Sequence, residues 1–499
     1  EGFAIRMNLS EHCVVRRCKI KATYGIRGGL IPGMKNAYIA DNVIDGMTPW
    51  TAEAMGAGGK NIGEGIEITG PGNVVCFNKV TGFRDCISFY EQTPTEQVCI
   101  DVYNNDVYTG ADDGIEADFA HHNCRIMRNR LTNCFVGLSS QPGFGGPNYF
   151  LRNVMYNLTY APFKLHRFSK GDVILHNTVV KVGDGMACFS GAEFDHAFFR
   201  NNLCIGGPDG GQKWGGYGGG DGAAACLIAH GPHCSFDYDA LGSTKQPFRA
   251  QIGKVRAGSI EELRKSGVEA HAVLVDMSVF ESAVQFPDPP LPERQPADLR
   301  PKPGSPVVDA ALRLPNVNDG FLNQGPDIGA YEAGQALPHY GPRAEGVDEE
   351  SAAVASASAK PNGKLSPATI SAPAAAAPAV PAIDPAPHRE ALVSVLQSDK
   401  AKKSVKVMIT FMGKQQNVTF NGADKNGPSV NALGNDFPLR WKDISDEDLA
   451  RLSFAACGDD ADALVHAATL ATALKIQPLF EKIHERLLTV DAEKAKVFK

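Results

Sequence analysis

Residues 114–133 read GIEADFAHHNCRIMRNRLTN, and this stretch decides the fold. Ile115 and Ala117 are apolar, while Glu116 and Asp118 between and after them are acidic. That is the period of two of a strand with one buried face. Asn129 then opens a second, mostly apolar run. Runs of the same kind start at Asn42, Asn78, Asn105, Asn153, Asn177 and Asn202. The intervals are 36, 27, 24, 24, 24 and 25, and Cys18 takes the same slot 24 residues before Asn42. A period of about 24 with two or three short strands predicts one coil of a parallel β-helix. The two long intervals predict coils with inserted loops, residues 45–63 among them.

A second column confirms the register. Gly25-Ile26, Gly65-Ile66, Gly114-Ile115, Gly137-Leu138 and Gly185-Met186 recur about 15 residues before the Asn, with Cys86-Ile87 and Pro162-Phe163 in the same slot. Ile66 and Ile68 oppose Glu67 and Thr69; Phe163 and Leu165 oppose Lys164 and His166. The apolar set must face the coil interior, because a slip of one residue would bury the charges. The Asn column is expected to be structural, since Asn tolerates left-handed turns and stacked amides hydrogen-bond along an axis.

The chain has 499 residues, 43% hydrophobic and 21% charged, which excludes wholesale disorder. Lys+Arg 49 against Asp+Glu 56 leaves −7, which argues against a nucleic-acid partner held by bulk charge. No apolar run reaches the roughly 18 residues that span a membrane. Gly 52 and Pro 32 suit an all-β fold rich in turns. Residue 1 is Glu and the chain opens inside a strand-like rung, Gly2-Phe3-Ala4-Ile5, so a fragment or processed product is expected. Cys76, Cys99, Cys124, Cys188 and Cys204 sit in apolar runs and are expected as buried thiols. Cys226 and Cys234 could pair.

Beyond Asn202 the repeat loosens. Residues 206–222 are Gly-rich, and SIEELRKS (259–266) predicts a short helix with a Ser259–Glu262 capping box. Residues 304–333 are expected to form a final coil. Residues 344–387 hold 15 Ala and 7 Pro, the composition of a disordered linker. Residues 388–499 are expected as a small α+β module, with strands at Ser404–Phe411 and Gln416–Phe420 and helices at 446–456 and 461–474.

With the coil period, rungs such as 114–133 and the closing GPDIGAYE (325–332), residues 1–343 resemble the right-handed parallel β-helix proteins of the bacterial pectin-lyase-like superfamily. The resemblance implies a secreted or cell-surface monomer. It implies a polysaccharide partner, and it covers lyases, glycosidases and non-catalytic binders alike.

Stacking the coils and reading the outward positions assembles a candidate site. One column runs Arg27, Glu67, Ser88, Glu116, Ser139, Lys164; the next runs Gly29, Thr69, Tyr90, Asp118, Gln141, His166. A third, just before the strand, carries Glu64, Asp85 and Asp113. Coils lie about 4.8 Å apart. Glu64, Glu67, Asp85, Asp112, Asp113, Glu116 and Asp118 should therefore share one patch, with Lys164, His166 and Arg167 beyond it. Stacked like charges repel, so a cation, a shared proton or a facing base must offset them.

Two chemistries fit. In one, Asp85, Asp112, Asp113, Glu116 and Asp118 hold Ca²⁺, and Lys164, with Arg167 or His166 assisting, removes a proton from a uronic-acid sugar in β-elimination. Asp112-Asp113-Gly-Ile-Glu116 is similar to the Asp-Asp-Gly-x-Asp calcium motif of one group of β-helix pectate lyases, with Glu for the last Asp. In the other, two carboxyls such as Asp113 and Glu116 act as acid and base on a glycosidic bond. Asp112-Asp113 resembles the Asp pair of polygalacturonases, whose Gly-His-Gly and Arg-Ile-Lys elements have no counterpart here. Arg27, Glu67, Tyr90 and Gln141 would contact substrate. Trp214 and Tyr217, and Trp50 in the 45–63 insertion, would stack a sugar ring. A non-catalytic carbohydrate-binding protein is the third reading.

Overall fold

The computed structural model describes residues 2–28, 33–91, 97–189, 191–208, 212–347, 386–411, 414–432, 435–474 and 476–498. It divides into two compact units, Glu1–Pro361 and Asn362–Lys499. The first is a parallel β-solenoid of about nine turns. Position Gly29 of the outward column and the Ala/Pro-rich stretch from 348 to 385 lie outside the described residues.

Each coil contributes strands to three parallel sheets. The first stacks Phe3–Arg6, Tyr24–Arg27, Glu64–Ile68, Asp85–Phe89, then the ends of Asp106–Glu116 and Arg130–Ser140, then Phe163–Leu165. The second holds nine strands, from Val14–Arg16 to Ser235–Asp237. The third begins at Lys19–Lys21 and closes at Val273–Leu274. Register pairs Arg27 with Glu67, Glu67 with Ser88, Ser88 with Glu116, Glu116 with Ser139 and Ser139 with Lys164, the column read from sequence. Ile26, Ile66, Ile87, Ile115, Leu138 and Phe163 fill the interior with no exposed surface. The Gly column has a steric cause. A Cβ on Gly65 would lie 2.4 Å from the Cys86 carbonyl oxygen and from Val80 of the neighbouring strand.

The Asn column is a continuous buried ladder. Each Nδ2 donates to the next Oδ1, from Asn42 to Asn78 at 2.8 Å through Asn177 to Asn202 at 3.0 Å. Each Oδ1 also accepts the backbone N–H of the previous coil's Asn. Cys18 takes the first slot through its backbone N–H, and Asp239 ends the ladder by accepting from Asn202. The amides satisfy polar groups that the fold would otherwise bury unpaired.

Four expectations are corrected. Residues 304–333 form no coil. Among the described residues, strands of this unit end at Leu274, and the chain then runs back along the solenoid's outside. Gly329 N–H donates to Asn201 O, Arg152 pairs with Glu332, Gly341 N–H donates to Asn104 O, and Arg343 grips Asp41. Outward apolar residues of the third sheet, such as Val180, Leu203 and Ile205, require a cover, and Val307, Ile328 and Tyr331 provide it. Cys226 and Cys234 form no disulfide, and none is present among the described residues. Cys99 is exposed, because it occupies a left-handed turn (φ 54°) before its strand. The indoles of Trp50 and Trp214 are buried, for the reason given below.

The Ser259 half of the expected capping box forms, with Ser259 Oγ accepting from Glu262 N–H, while the Glu262 carboxylate accepts from Gly258 N–H one residue earlier. In the second unit, Val405–Phe411 pairs antiparallel with Lys414–Ala423, and Pro428–Ala432 and Asn435–Pro438 extend the sheet. Helices Asp446–Ala456 and Ala461–Ala473 fall where the sequence placed them; helices Ala386–Gln397 and Gln477–Val490 were not anticipated.

Candidate active site

The outward face of the first sheet carries a cleft of about 650 Å³ spanning five coils. Arg84, Glu91, Asp112, Glu116, Gln141, Lys164, His166 and Arg167 line its polar floor and rim. Phe135, Tyr160 and Tyr217 form an apolar wall. Seven of these, Asp112, Glu116, Gln141, Lys164, His166, Arg167 and Tyr217, were singled out in the sequence.

The acidic patch is buried, not laid on an open sheet face. Asp113 and Asp118 have no exposed surface, and Asp85 (2%), Asp112 (5%) and Glu116 (7%) have almost none. Lys164 reaches back over Ser139 to bond Asp113, with its Nζ 3.8 Å from Glu116. It bridges coils whose backbones are two strand spacings apart. Asp85 Oδ1 accepts from the Asp113 N–H at 2.8 Å. Asp118 is bonded by Ser139 Oγ, and Ser88 Oγ donates to Glu64 at 3.1 Å. Arg84 stands 3.4 Å from both Asp85 and Asp112.

Burial governs the protonation of this cluster. Desolvation, reinforced by Asp85, Asp118 and Asp113, pushes the Glu116 carboxyl well above the carboxylate range. Desolvation and Glu64 do the same to Asp85. Burial raises Glu64 and Asp118 to about 7 and Asp112 to about 6. Burial opposes the charge on Lys164, but Asp113, Asp118, Glu116 and Asp112 outweigh it and hold the ammonium protonated far above its usual range. Burial, then Lys164, brings His166 down to about 4, so its imidazole is neutral at pH 7. At neutral pH the site therefore combines protonated carboxyls, ionised ones and one ammonium.

In and beneath the cleft, Asp113 Oδ1, Asp118 Oδ2, His166 Nε2 and Arg84 Nε are buried without a hydrogen-bond partner among the described residues. Carboxylate oxygens of Asp85, Asp113 and Glu116 come within 4.8 Å of one another, and so do those of Glu91, Glu116 and Asp118. Such oxygen sets suit a hard cation. Lys164 already supplies a positive charge to the first set.

Trp214 is 2% exposed and Trp50 6%, packed together with Met55, Phe135 and Tyr160. The Trp50 indole N–H donates to Pro290 O at 3.1 Å. The 45–63 insertion and the Gly-rich hairpin (Lys213–Trp214 with Tyr217–Gly218) thus form the core of the cleft wall, leaving neither indole free for a sugar. Tyr217 is 45% exposed and rests on Tyr160, ring centroids 5.4 Å apart, with Tyr160 stacked on Phe135 at 5.0 Å. Arg27, Glu67 and Tyr90 lie on the same sheet nearer the N-terminus and do not line the cleft; Arg27 is ion-paired to Glu67 and lies over the Tyr90 ring.

Sequence reading missed Arg84, Glu91, Phe135 and Tyr160. Arg84 and Phe135 precede the alternating positions, and Glu91 follows its strand, so none stands in an outward column. The only signal for Glu91 was its place directly after Tyr90. No protein-family model matches the chain, and no curated protein does either.

Proposed function

We propose that the chain is a polysaccharide-degrading enzyme of the pectin-lyase-like β-helix kind, and that it hydrolyses glycosidic bonds in the acidic cleft. The observation that carries this reading is Glu116, a carboxyl that lines the cleft and is kept protonated by its burial. A carboxylic acid held neutral at pH 7 is what protonation of a leaving glycosidic oxygen needs. Glu91, exposed at the rim with an oxygen within 4.8 Å of Glu116, is the second carboxylate. Carboxyls this close act as acid and nucleophile in retaining glycosidases rather than leaving the wider gap an inverting enzyme needs for water, and retention of anomeric configuration is the outcome to look for.

Lys164 fits an electrostatic role here. It neutralises Asp113, so that the remaining negative charge near Glu116 raises that carboxyl without filling the site with unpaired anions. The exposed Tyr217 ring offers a sugar platform beside these carboxyls.

A second reading, Ca²⁺-dependent β-elimination on a uronic-acid polymer, is favoured by the close oxygens of Asp85, Asp113 and Glu116. These residues would hold the ion, whose charge would offset the sugar carboxylate. That reading needs a deprotonated Lys164 or another base, and the surrounding carboxyls oppose the loss of that proton.

One experiment separates them. The chain is incubated with a panel of neutral and uronic-acid polysaccharides, with calcium and with chelator, following reducing ends and ultraviolet absorbance together. New reducing ends without absorbance, lost in Glu116→Gln, are expected. A calcium-dependent absorbance rise would transfer the site to elimination. Silence in both channels on every polymer would leave binding as the function and refute catalysis.

A further inference from the structure

A second constellation lies away from the cleft, at the corner that leads into the second sheet. Asp195 and His196 precede the strand Phe198–Arg200; His233 precedes the next strand, Ser235–Asp237. Phe198 pairs with Ser235, so the two corners stack on successive coils although 37 residues separate His196 from His233. His233 Nδ1 lies 2.9 Å from Asp195 Oδ2, and His196 Nδ1 lies 3.2 Å from the same oxygen. The two imidazoles stack face to face, centroids 4.4 Å apart at 23°.

We propose that Asp195, His196 and His233 bind a divalent transition metal of the zinc class. Two imidazoles and one carboxylate are a donor set for Zn²⁺, Cu²⁺ or Ni²⁺ rather than Ca²⁺ or Mg²⁺. The geometry is close to what such an ion demands. With metal–ligand bonds of 2.0–2.1 Å, the edge of a tetrahedron is about 3.3 Å. The Nδ1–Oδ2 separations of 2.9 and 3.2 Å already approximate two such edges. The carboxylate is pre-positioned, because Asp195 Oδ1 accepts the His233 backbone N–H at 3.0 Å. Gly231 makes room for it: a Cβ there would fall 2.5 Å from the Asp195 carboxyl.

On binding, the ion takes the Nδ1 lone pair of each ring, and each neutral ring carries its proton on Nε2. The Asp195 oxygen that faces both rings becomes the third ligand. Three protein ligands leave a fourth position for water or an exogenous group. Both imidazoles are more than half exposed, so the ion can reach the site.

The test is calorimetric titration of the full chain with Zn²⁺ at pH 7.5, paralleled by Co²⁺ followed in the visible. The wild-type chain should take up one equivalent more than either His196→Ala or His233→Ala, and the intense ligand-field bands of low-symmetry Co²⁺ should vanish in both. Asp195→Asn should weaken that equivalent at least tenfold. His196→Gln and His233→Gln, which keep a donor for Asp195, guard against loss of the corner itself and should behave like the Ala forms. His271→Ala, which removes the single-imidazole pair His271–Asp237, should change nothing. Equal stoichiometry and affinity in the wild type and both histidine variants would overturn the assignment.

Discussion

Replacing Lys164 with Met removes the one ammonium from a buried cluster of carboxyls while keeping most of the side chain's apolar volume. Removing one partner of a buried ion pair costs about 3–5 kcal/mol. At about 2.1 cal/mol/K per residue, over the roughly 270 residues of the solenoid, that is a fall of about 5–9 °C in its unfolding midpoint. The penalty should depend on pH, and its sign follows from the cluster. In the wild type Lys164 is raised, so the ammonium itself stays charged at every pH below the ordinary lysine value, and between pH 4 and 8 its contribution changes only as the carboxyls around it gain or lose charge. Asp112 (about 6) and Asp118 (about 7) are carboxyls raised by burial, and Lys164 is what restrains them. Raised carboxyls favour the folded state most at low pH and lose that advantage as pH climbs from about 4 through their folded values. Without Lys164 they rise further, so the variant should lose more stability between pH 4 and 8 than the wild type. Thermal unfolding followed by circular dichroism at pH 4.5 and pH 8 measures the difference: a wide gap at pH 8, narrowing at pH 4.5. A gap of the same size at both pH values would refute the electrostatic account and leave only lost packing.

Glu116→Gln should reduce hydrolysis by roughly 10²–10⁴-fold with little change in stability, as measured by initial rates and unfolding side by side. Tyr217→Ala should weaken sugar binding in calorimetry and leave the unfolding midpoint nearly unchanged; Trp214→Ala should instead cost about 3–5 kcal/mol, because its indole is core. Asn129→Ala opens the ladder between Asn105 and Asn153 and strands several buried polar atoms, so amide exchange in those coils should accelerate. Arg343→Met should free the returning segment at Asp41 and expose it to limited proteolysis. Burial works against ionisation of Asp41, but its Arg343 and Arg16 bonds prevail and bring it to about 2; the stability it adds is therefore present above about 4 and is lost as pH falls through about 2.

The coil repeat, the sheet register and the gathering of acids beside Lys164 were all legible in the chain. A solenoid repeats one local unit, so a period of 24 and an alternation of two fix which residues stack on which. Arg27, Glu67, Ser88, Glu116, Ser139 and Lys164 needed no three-dimensional information to be placed in one column. Burial was beyond that reading. Sequence alternation marks a residue as outward but does not say what covers it. Here a 19-residue insertion and a Gly-rich hairpin wall the cleft, which turns outward carboxyls into desolvated ones and two tryptophans into core. The same holds for residues 276–347, which break the period and find their place through apolar packing, hydrogen bonds and ion pairs with distant coils. Glu91 and the His196–His233 pair likewise meet their partners across coils whose loops differ in length. Local periodicity determined the fold and the column; only long-range packing decided dielectric, protonation and which side chains remain open to a ligand.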